Sequence, residues 1–267
     1  MVLWNTGRMS LDGYSDIRTS KVPEVTLAFW IIKIAATTVG ETGGDALSMT
    51  LNLGYALSTA VFFSFFIATV AAQVASKSFN RFLYWAVIVA TTTVGTTMAD
   101  YADRSLRIGY VGGSILLFTL LMIALGMWRT SVGSVSFNNI VSPKVEIFYW
   151  VTILFSNTLG TALGDFFADD SGLGYEGAAV VFAGALVLLA VAYFYTKISR
   201  MLLFWSAFIL TRPLGAALGD LLTKPVATGG FNLSRISSSL IIAASIILCI
   251  LFTRQRAGDH PGRHEQG

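Results

Sequence analysis

The sequence WIIKIAATTVGETGGD, residues Trp30–Asp45, combines the apolar character of a membrane segment with charges that a lipid environment disfavours. Its tryptophan is followed after nine residues by Gly40, and that glycine is followed after four more by Asp45. The same spacing recurs at Trp85–Asp100, Trp150–Asp165 and Trp205–Asp220. Because the internal spacing is identical in all four segments, the chain is predicted to contain four copies of one structural unit.

The composition around these segments is that of a membrane protein. Of 267 residues, 54% are hydrophobic and only 12% are charged, about half the charged share of soluble domains. A bilayer span takes roughly 17–25 apolar residues. Six uncharged stretches are that long: Ala46–Ser76, Phe82–Ala99, Ile108–Trp128, Ile147–Gly164, Gly177–Thr196 and Ile236–Thr253. Val25–Thr42 and Met201–Gly219 qualify if Lys33 and Arg212 are accepted inside the membrane. We therefore expect an all-α polytopic membrane protein with eight transmembrane helices and the lipid bilayer as a partner, which excludes a soluble enzyme, a disordered chain and a single-pass anchor.

Basic residues are divided unequally between the two sides of the predicted membrane. Twelve lysines and arginines fall in the two ends of the chain and in the loops near 77–81, 129–144 and 197–200. Four fall on the other side: Arg104, Arg107, Lys224 and Arg235. Because short cytoplasmic loops carry the excess of positive charge, both termini are expected in the cytoplasm. The net charge of +3 is interpreted in the same way, and no nucleic-acid partner is expected.

The repeats also predict how the chain is divided. Each repeat is expected to form a helical hairpin, a motif helix running outward and a plainer helix returning, with all four hairpins parallel. Successive repeats are 55, 65 and 55 residues apart, and the longer middle offset separates two four-helix halves. The expected segments are a cytoplasmic N-terminal segment 1–23, a first half 24–130, a linker 131–143, a second half 144–254 and a cytoplasmic tail 255–267.

Small residues precede the motif aspartates, and each forms a small-xxx-small pair with the motif glycine: Gly44, Ala99, Gly164 and Gly219. In lipid such pairs let two helix backbones approach closely, so the glycines are interpreted as packing contacts. The four motif tryptophans lie near the cytoplasmic start of each motif helix, where an aromatic belt at the membrane interface is expected.

A polar ridge precedes each aspartate at intervals of four residues, on one helical face. Such faces avoid lipid, so the motif helices are expected to form an inner layer with the ridges turned toward one another. The candidate cation-binding residues are Asp45, Asp100, Asp165, Asp220, Glu41, Thr96, Thr161 and Asn157, with Lys33 and Arg212 as modulating charges.

The charges on these ridges favour a cation site. Glu41 and the four aspartates outnumber Lys33 and Arg212 by three, which gives −3 if every group is ionised. Buried like charges at this density take up protons, form ion pairs or hold a cation. Carboxylates, hydroxyls and an amide are all-oxygen ligands that suit Mg²⁺, Ca²⁺ or Mn²⁺, so the four aspartates are candidate metal ligands. No histidine or cysteine lies in a motif, which argues against zinc or copper.

Arg212 is open to two interpretations. It is expected either to form a structural ion pair, with Asp220 or with an acid on a neighbouring helix, or to act as a tethered cation that competes with the substrate. The structural pair is the favoured interpretation.

The stretches Thr37–Asp45 and Leu159–Asp165, with Pro213–Asp220 as a variant copy, resemble a family of bacterial membrane-anchored repeat proteins of unknown function. The resemblance covers about residues 24–254. It implies a multi-pass protein of the bacterial inner membrane, and it implies no activity.

The function favoured by these residues is secondary transport of a small cation, with a divalent metal as the substrate and protons as a coupling ion. Alternating access is expected to come from rocking one half against the other. The alternatives are a cation channel with an acidic ring, and a non-transporting membrane scaffold or assembly protein. An enzyme is not expected, a cofactor is not expected, and a homo-oligomer is compatible with the sequence.

Overall fold

The computed structural model describes residues 21–133, 135 and 142–257, and every long element in this part of the chain is an α-helix. The helices are α1 (Leu27–Asp45), α2 (Gly54–Ala75), α3 (Arg81–Asp100), α4 (Gly109–Val132), α5 (Pro143–Asp165), α6 (Gly174–Tyr195), α7 (Arg200–Thr223) and α8 (Arg235–Phe252). The predicted all-α class is thus confirmed for the described residues.

Seven of these helices, α2 to α8, are long and apolar enough to cross a membrane. The exception is α1, because Lys33 and Glu41 lower its hydropathy. The most apolar windows of α3 and α5 are 72% buried inside the protein, whereas those of α2 and α8 are 22% and 11% buried. The motif helices are therefore interior elements, as the polar ridges predicted.

The motif helices α1, α3, α5 and α7 form a closed ring. Helix α1 packs against α3 and α7, and α5 packs against the same two helices. The order around the ring is therefore the order along the chain, with one motif helix from each repeat. We call its two ends the aspartate end and the tryptophan end, after the motif residues that lie there.

At each interface of the ring, the motif glycine of one helix lies against a polar-ridge residue of the next. A Cβ atom on Gly40 would overlap Thr92, and a Cβ atom on Gly160 would lie 2.5 Å from Cγ of Arg212. The other two contacts place Gly95 against Asn157 and Thr158, and Gly215 against Thr37. Because lipid provides little hydrophobic drive between helices, close contacts of this kind hold them together. The interpretation of the glycines as packing contacts is confirmed.

The same interfaces carry hydrogen bonds from the polar ridges. In three repeats the residue eight positions before the aspartate donates to the preceding helix of the ring: Thr37 Oγ1 to the Thr211 carbonyl at 3.0 Å, Thr92 Oγ1 to the Ala36 carbonyl at 3.0 Å, and Asn157 Nδ2 to Thr91 Oγ1 at 2.9 Å. Arg212 holds this position in the fourth repeat, and its side chain takes a different direction.

The outer helices interlock the repeats. Helix α2 packs on α3, α4 on α5, α6 on α7, and α8 on α1, so each returning helix lies against the motif helix of the following repeat. The predicted hairpin therefore describes the chain order within a repeat, while the closest partner of each returning helix belongs to another repeat. The short connection 76–80 keeps α2 adjacent to α3, whereas α8 packs on α1 with no connection between them.

The connections at the aspartate end share one backbone pattern in the first three repeats. Directly after each aspartate the helix widens into a five-residue π-helical turn: Ala46–Thr50, Tyr101–Ser105 and Phe166–Asp170. The returning helix then begins at a glycine with positive φ: Gly54 at 73°, Gly109 at 72° and Gly174 at 68°. This conformation explains the repeated glycine because other residues rarely adopt it. In the fourth repeat α7 continues to Thr223 and a 3₁₀ turn, Val226–Thr228, follows.

Substituting a ring glycine tests this packing. We expect Gly40→Ala to lower the free energy of unfolding by about 1–3 kcal/mol, because the added methyl group overlaps Thr92 and the interface must move apart. The control is Gly126→Ala in α4, where a Cβ atom meets nothing within 4 Å. That change should be neutral or stabilising by up to about 1 kcal/mol. Thermal unfolding in detergent measures both variants, and equal melting temperatures would contradict the close packing of the ring.

Candidate functional site

The four motif aspartates are buried at the aspartate end of the ring, each with an exposed fraction of 3% or less. Asp45 and Asp220, on the neighbouring helices α1 and α7, share one base. The Nζ atom of Lys224 lies 3.2 Å from Oδ2 of Asp45 and 3.1 Å from Oδ1 of Asp220. Arg235 adds a second base, with its Nε atom 3.4 Å from Oδ2 of Asp45.

The other two aspartates, on α3 and α5, share Arg104. Its Nε atom lies 2.8 Å from Oδ1 of Asp100, and its Nη2 atom lies 3.8 Å from Oδ2 of Asp165. The same Nη2 atom is 3.6 Å from Asp169, whose carboxylate also accepts a 2.8 Å hydrogen bond from the hydroxyl of Tyr110. The four aspartates are therefore grouped as two pairs, each bridged by a base from the motif region of one partner.

This pairing follows from local sequence. In repeats two and four the residue four positions after the aspartate is basic, Arg104 and Lys224, and this spacing places it on the face of its own aspartate. The equivalent residues of repeats one and three are Met49 and Asp169. Each base therefore reaches its own aspartate and that of the next motif helix. As a result, the fourfold pattern of acids is reduced to a twofold pattern of ion pairs.

The bases also correct the predicted charge. The value of −3 counted only Lys33 and Arg212 against five acids, but the structure adds Arg104, Lys224 and Arg235 to the same cluster. Three further positive charges bring that sum to zero when all of these groups are ionised, and Asp169, which also contacts Arg104, returns it to −1. For Lys224, at the end of α7, burial alone lowers the pKa, but the carboxylates of Asp220 and Asp45 outweigh burial and raise the pKa above its ordinary value. Lys224 therefore remains a cation at physiological pH.

A second group of charges lies one turn closer to the tryptophan end. Arg212 is fully buried, and its Nη2 atom lies 3.0 Å from Oε2 of Glu41 on α1. The same nitrogen is within 2.5 Å of the hydroxyl oxygens of Thr96 on α3 and Thr161 on α5. The structural ion pair expected for Arg212 is thus formed with an acid on a neighbouring helix, Glu41. One nitrogen atom of the fourth repeat contacts the other three repeats at once.

The fourth repeat has space for a guanidinium group here because it lacks the polar residue that the other repeats carry four positions before the aspartate. Glu41, Thr96 and Thr161 each stand four residues before their aspartate, and the equivalent residue on α7 is Ala216. The small alanine side chain is fully buried and leaves the space between the helices to Arg212. Two of the predicted ligands, Thr96 and Thr161, therefore contact an arginine in this structure.

The remaining predicted residues have other surroundings. Asn157 is fully buried and binds α3 through Thr91, so it acts as an interhelical contact rather than as a neighbour of the acids. Lys33 is also fully buried, its Nζ atom has no hydrogen-bond partner among the described residues, and it lies 4.2 Å from the ring centroid of Phe208.

Aromatic side chains fill the tryptophan end of the ring. Phe29, Trp85 and Tyr84 are in contact, and Tyr84 also contacts Trp150. The exposed fractions of Trp85 and Trp150 are 1% and 2%. For these two residues the predicted interfacial belt is wrong, because the motif helices turn this face toward the ring and the tryptophans pack on neighbouring helices.

Three of the predicted acids come together as a candidate metal-binding group. Glu41, Asp45 and Asp220 are all buried, and one carboxylate oxygen from each lies within 4.8 Å of the others. Asp100 and Asp165 lie in the other ion-paired group, around Arg104. The Oδ1 atom of Asp45 is buried and has no hydrogen-bond partner among the described residues. The predicted ring of four aspartates is therefore divided, and Glu41 belongs to both the metal-binding group and the Arg212 contacts.

The three bases of the aspartate end were not among the predicted site residues. Arg104, Lys224 and Arg235 were counted only as loop residues that report topology. The signal for two of them was present, because Arg104 and Lys224 each stand four residues after a motif aspartate. No comparable pattern exists for Arg235, since it begins α8 and reaches Asp45 only because α8 packs on α1.

Comparison with known proteins gives one family match. The sequence profile of a family described as Repeat of Unknown Function (DUF347) matches the chain four times, over residues 28–79, 83–133, 148–199 and 203–257. Each match covers most of one motif helix and one returning helix. No curated protein and no solved structure matches the chain. The family resemblance inferred from the motifs is confirmed.

Removing the base between two buried acids tests the ion-pair arrangement. We expect Lys224→Gln to lower the free energy of unfolding by about 3 kcal/mol, because Asp45 and Asp220 then face each other with less compensation. The double variant Lys224→Gln/Asp220→Asn should regain a large part of that loss. The control is Lys197→Gln at an exposed position. Thermal unfolding in detergent measures all three, and a wild-type melting temperature for Lys224→Gln would show that these pairs add no stability.

Proposed function

The chain belongs to the DUF347 family of repeats of unknown function, and we propose that it is a secondary transporter of a small cation. We propose a divalent metal as the substrate, proton coupling, and the inner membrane of a bacterium as the location. The proposed topology has eight spans with both termini in the cytoplasm, so the aspartate end faces outward. The proposal assigns no enzymatic reaction and no cofactor to the chain, and it allows a homo-oligomer.

The observation that carries this proposal is the group formed by Glu41, Asp45 and Asp220. Oxygen atoms at 2.0–2.6 Å from a Mg²⁺ or Ca²⁺ ion are roughly 3–5 Å from one another. The three carboxylate oxygens, all within 4.8 Å of one another, match that spacing. The free Oδ1 atom of Asp45 adds a buried acceptor without a partner among the described residues. Hard oxygen ligands of this kind favour Mg²⁺, Ca²⁺ or Mn²⁺.

Lys224 gives the proposed site a mechanism of exchange. Its ammonium group bridges Asp45 and Asp220, so it holds part of the place that a metal ion would take. It stands at the C-cap of α7, and its side chain is 11% exposed. Its ammonium group can therefore turn toward solvent when a divalent ion binds, and return when the ion leaves. A divalent ion brings two positive charges to the place where the ammonium group had one. Release of one proton from the site would balance this difference, which is how transport would be coupled to protons.

Movement of the ion through the ring requires two interfaces to open. Within the ring, motif helices of the first half contact those of the second half at two interfaces, α3–α5 and α7–α1. Rocking of one half against the other would act at these two contacts, and each lies beside one ion-paired group. Breaking those ion pairs is the step by which ion binding would bias the motion.

A second candidate function is a membrane scaffold that transports nothing. The observation that favours it is the ion pairing, since the five acids of the cluster are already paired with four bases: Arg104, Arg212, Lys224 and Arg235. In that case the acids and bases hold the ring together, and added metal ions should change neither its stability nor its spectra.

Transport in proteoliposomes separates the two functions. We expect wild-type protein to carry at least one of Mg²⁺, Mn²⁺, Ca²⁺ or Na⁺, with a rate that changes when a pH gradient is applied. Asp45→Asn should lower that rate at least tenfold, because it removes one ligand charge and the free carboxylate oxygen. The matched control is Asp170→Asn, an exposed acid at the same end of the bundle.

Two results would change the proposal. Wild-type protein that carries none of the four ions would favour the scaffold. Asp45→Asn protein that carries the ion at the wild-type rate would retain a transporter but remove the Glu41, Asp45 and Asp220 group from its mechanism.

A further inference from the structure

The contacts of Arg212 differ from those that arginine usually makes. A guanidinium group normally binds acceptors through two or three of its nitrogens in a planar fork. Here all three contacts, to Glu41, Thr96 and Thr161, converge on Nη2. The Nε and Nη1 atoms are buried and have no hydrogen-bond partner among the described residues. The surrounding oxygens therefore match a single point of positive charge better than they match a guanidinium.

The two hydroxyl groups have other acceptors for their own protons, so they can accept a hydrogen bond from that point. Thr161 Oγ1 donates its own proton to the Asn157 carbonyl at 3.3 Å. The Thr96 hydroxyl has three acceptors at 3.2 Å, the carbonyls of Gly40 and Thr92 and Oε2 of Glu41, and donates its one proton among them. Their lone pairs are then available to Nη2. A terminal guanidinium nitrogen has two N–H groups for three acceptors, whereas an ammonium group has three and a metal ion needs no hydrogens. The geometry is that of a coordination site for a compact cation.

We propose that Glu41, Thr96 and Thr161 form a monovalent-cation site on the axis of the ring, and that Arg212 occupies it as a tethered cation in this state. One carboxylate and two neutral hydroxyls carry a single negative charge, which one Na⁺ or K⁺ ion balances. The group of Glu41, Asp45 and Asp220 carries three carboxylates and suits a divalent ion. The two sites therefore differ in valence.

Glu41 is shared by these two sites, which gives the axial site a role in transport. Its Oε2 atom pairs with Arg212, while the same carboxylate lies in the group with Asp45 and Asp220. A divalent ion that draws Glu41 toward the aspartate end weakens the contact with Arg212, so the occupant of one site affects the other. This coupling role rests on the proposed transport, whereas the axial site itself does not.

The test uses the full-length protein in detergent, with NaCl, KCl or MgCl₂ compared against choline chloride at equal chloride concentration. We expect Arg212→Ala to unfold at a lower temperature in choline chloride, because Glu41 is left buried without its base. Na⁺ or K⁺ should restore stability saturably, by about 5–10 °C at a concentration about a hundred times Kd. The double variant Arg212→Ala/Glu41→Gln should show no such restoration.

Matched variants locate the site. In the Arg212→Ala background, Thr96→Val should weaken the restoration at least tenfold in Kd, because it removes one oxygen ligand. Thr119→Val, at an exposed threonine of α4 that bonds only within its own helix, should leave it unchanged. Asp170→Asn in the same background, at an exposed acid outside both sites, should also leave it unchanged. A protein that transports nothing but still shows this cation dependence would contradict the proposed transport and support the axial site.

Arg212→Lys tests the same inference without leaving the acid unpaired. We expect it to melt within a few degrees of wild type, because an ammonium group supplies three donors for the three oxygens. Melting as low as that of Arg212→Ala would overturn the proposal, since it would show that a guanidinium is required. Equal stability of Arg212→Ala in sodium, potassium and choline salts would also overturn it.

Discussion

The contact between each motif glycine and the polar-ridge residue of the next motif helix is the constraint on which the structure depends. In lipid, an apolar helix gains little free energy by exchanging contacts with lipid for contacts with another helix. Close approach of the backbones and hydrogen bonds must therefore hold the helices together. Gly40 against Thr92 and Gly215 against Thr37 show how tight this approach is, because neither glycine has room for a Cβ atom. Four such contacts close the ring, and closure places the residues of all four repeats around one axis.

That closure explains why charged side chains are found in the interior. Once α1 and α7 are in contact, Asp45 and Asp220 face the same space, and Lys224 bridges them. The fourth repeat departs from the others four residues before its aspartate, where Ala216 stands in place of a polar residue. The small side chain of Ala216 leaves space through which Arg212 reaches Glu41. Glu41 then connects the acids of the aspartate end with Arg212 on the axis of the ring.

The repeats and the inner position of the motif helices could be predicted, because identical spacing and polar faces are local properties of the chain. The partners of the acids could not be predicted fully. Arg104 and Lys224 carried a signal at four residues after an aspartate, yet Arg235 approaches Asp45 only through the packing of α8 on α1. The interfacial position expected for Trp85 and Trp150 was wrong for a related reason, since lipid-facing and ring-facing aromatic residues have the same sequence pattern.

The sequence by itself determined the helical class, the fourfold repeat, the apolar lengths and the inward position of the motif acids, since these depend on spacing and composition along one chain. Only the tertiary structure decided that each returning helix packs on the following repeat, that the aspartates divide into two base-bridged pairs, and that Arg212 contacts three helices through one nitrogen. The physical reason is that charge compensation depends on distances of about 3–4 Å between side chains, and the closure of the ring sets those distances.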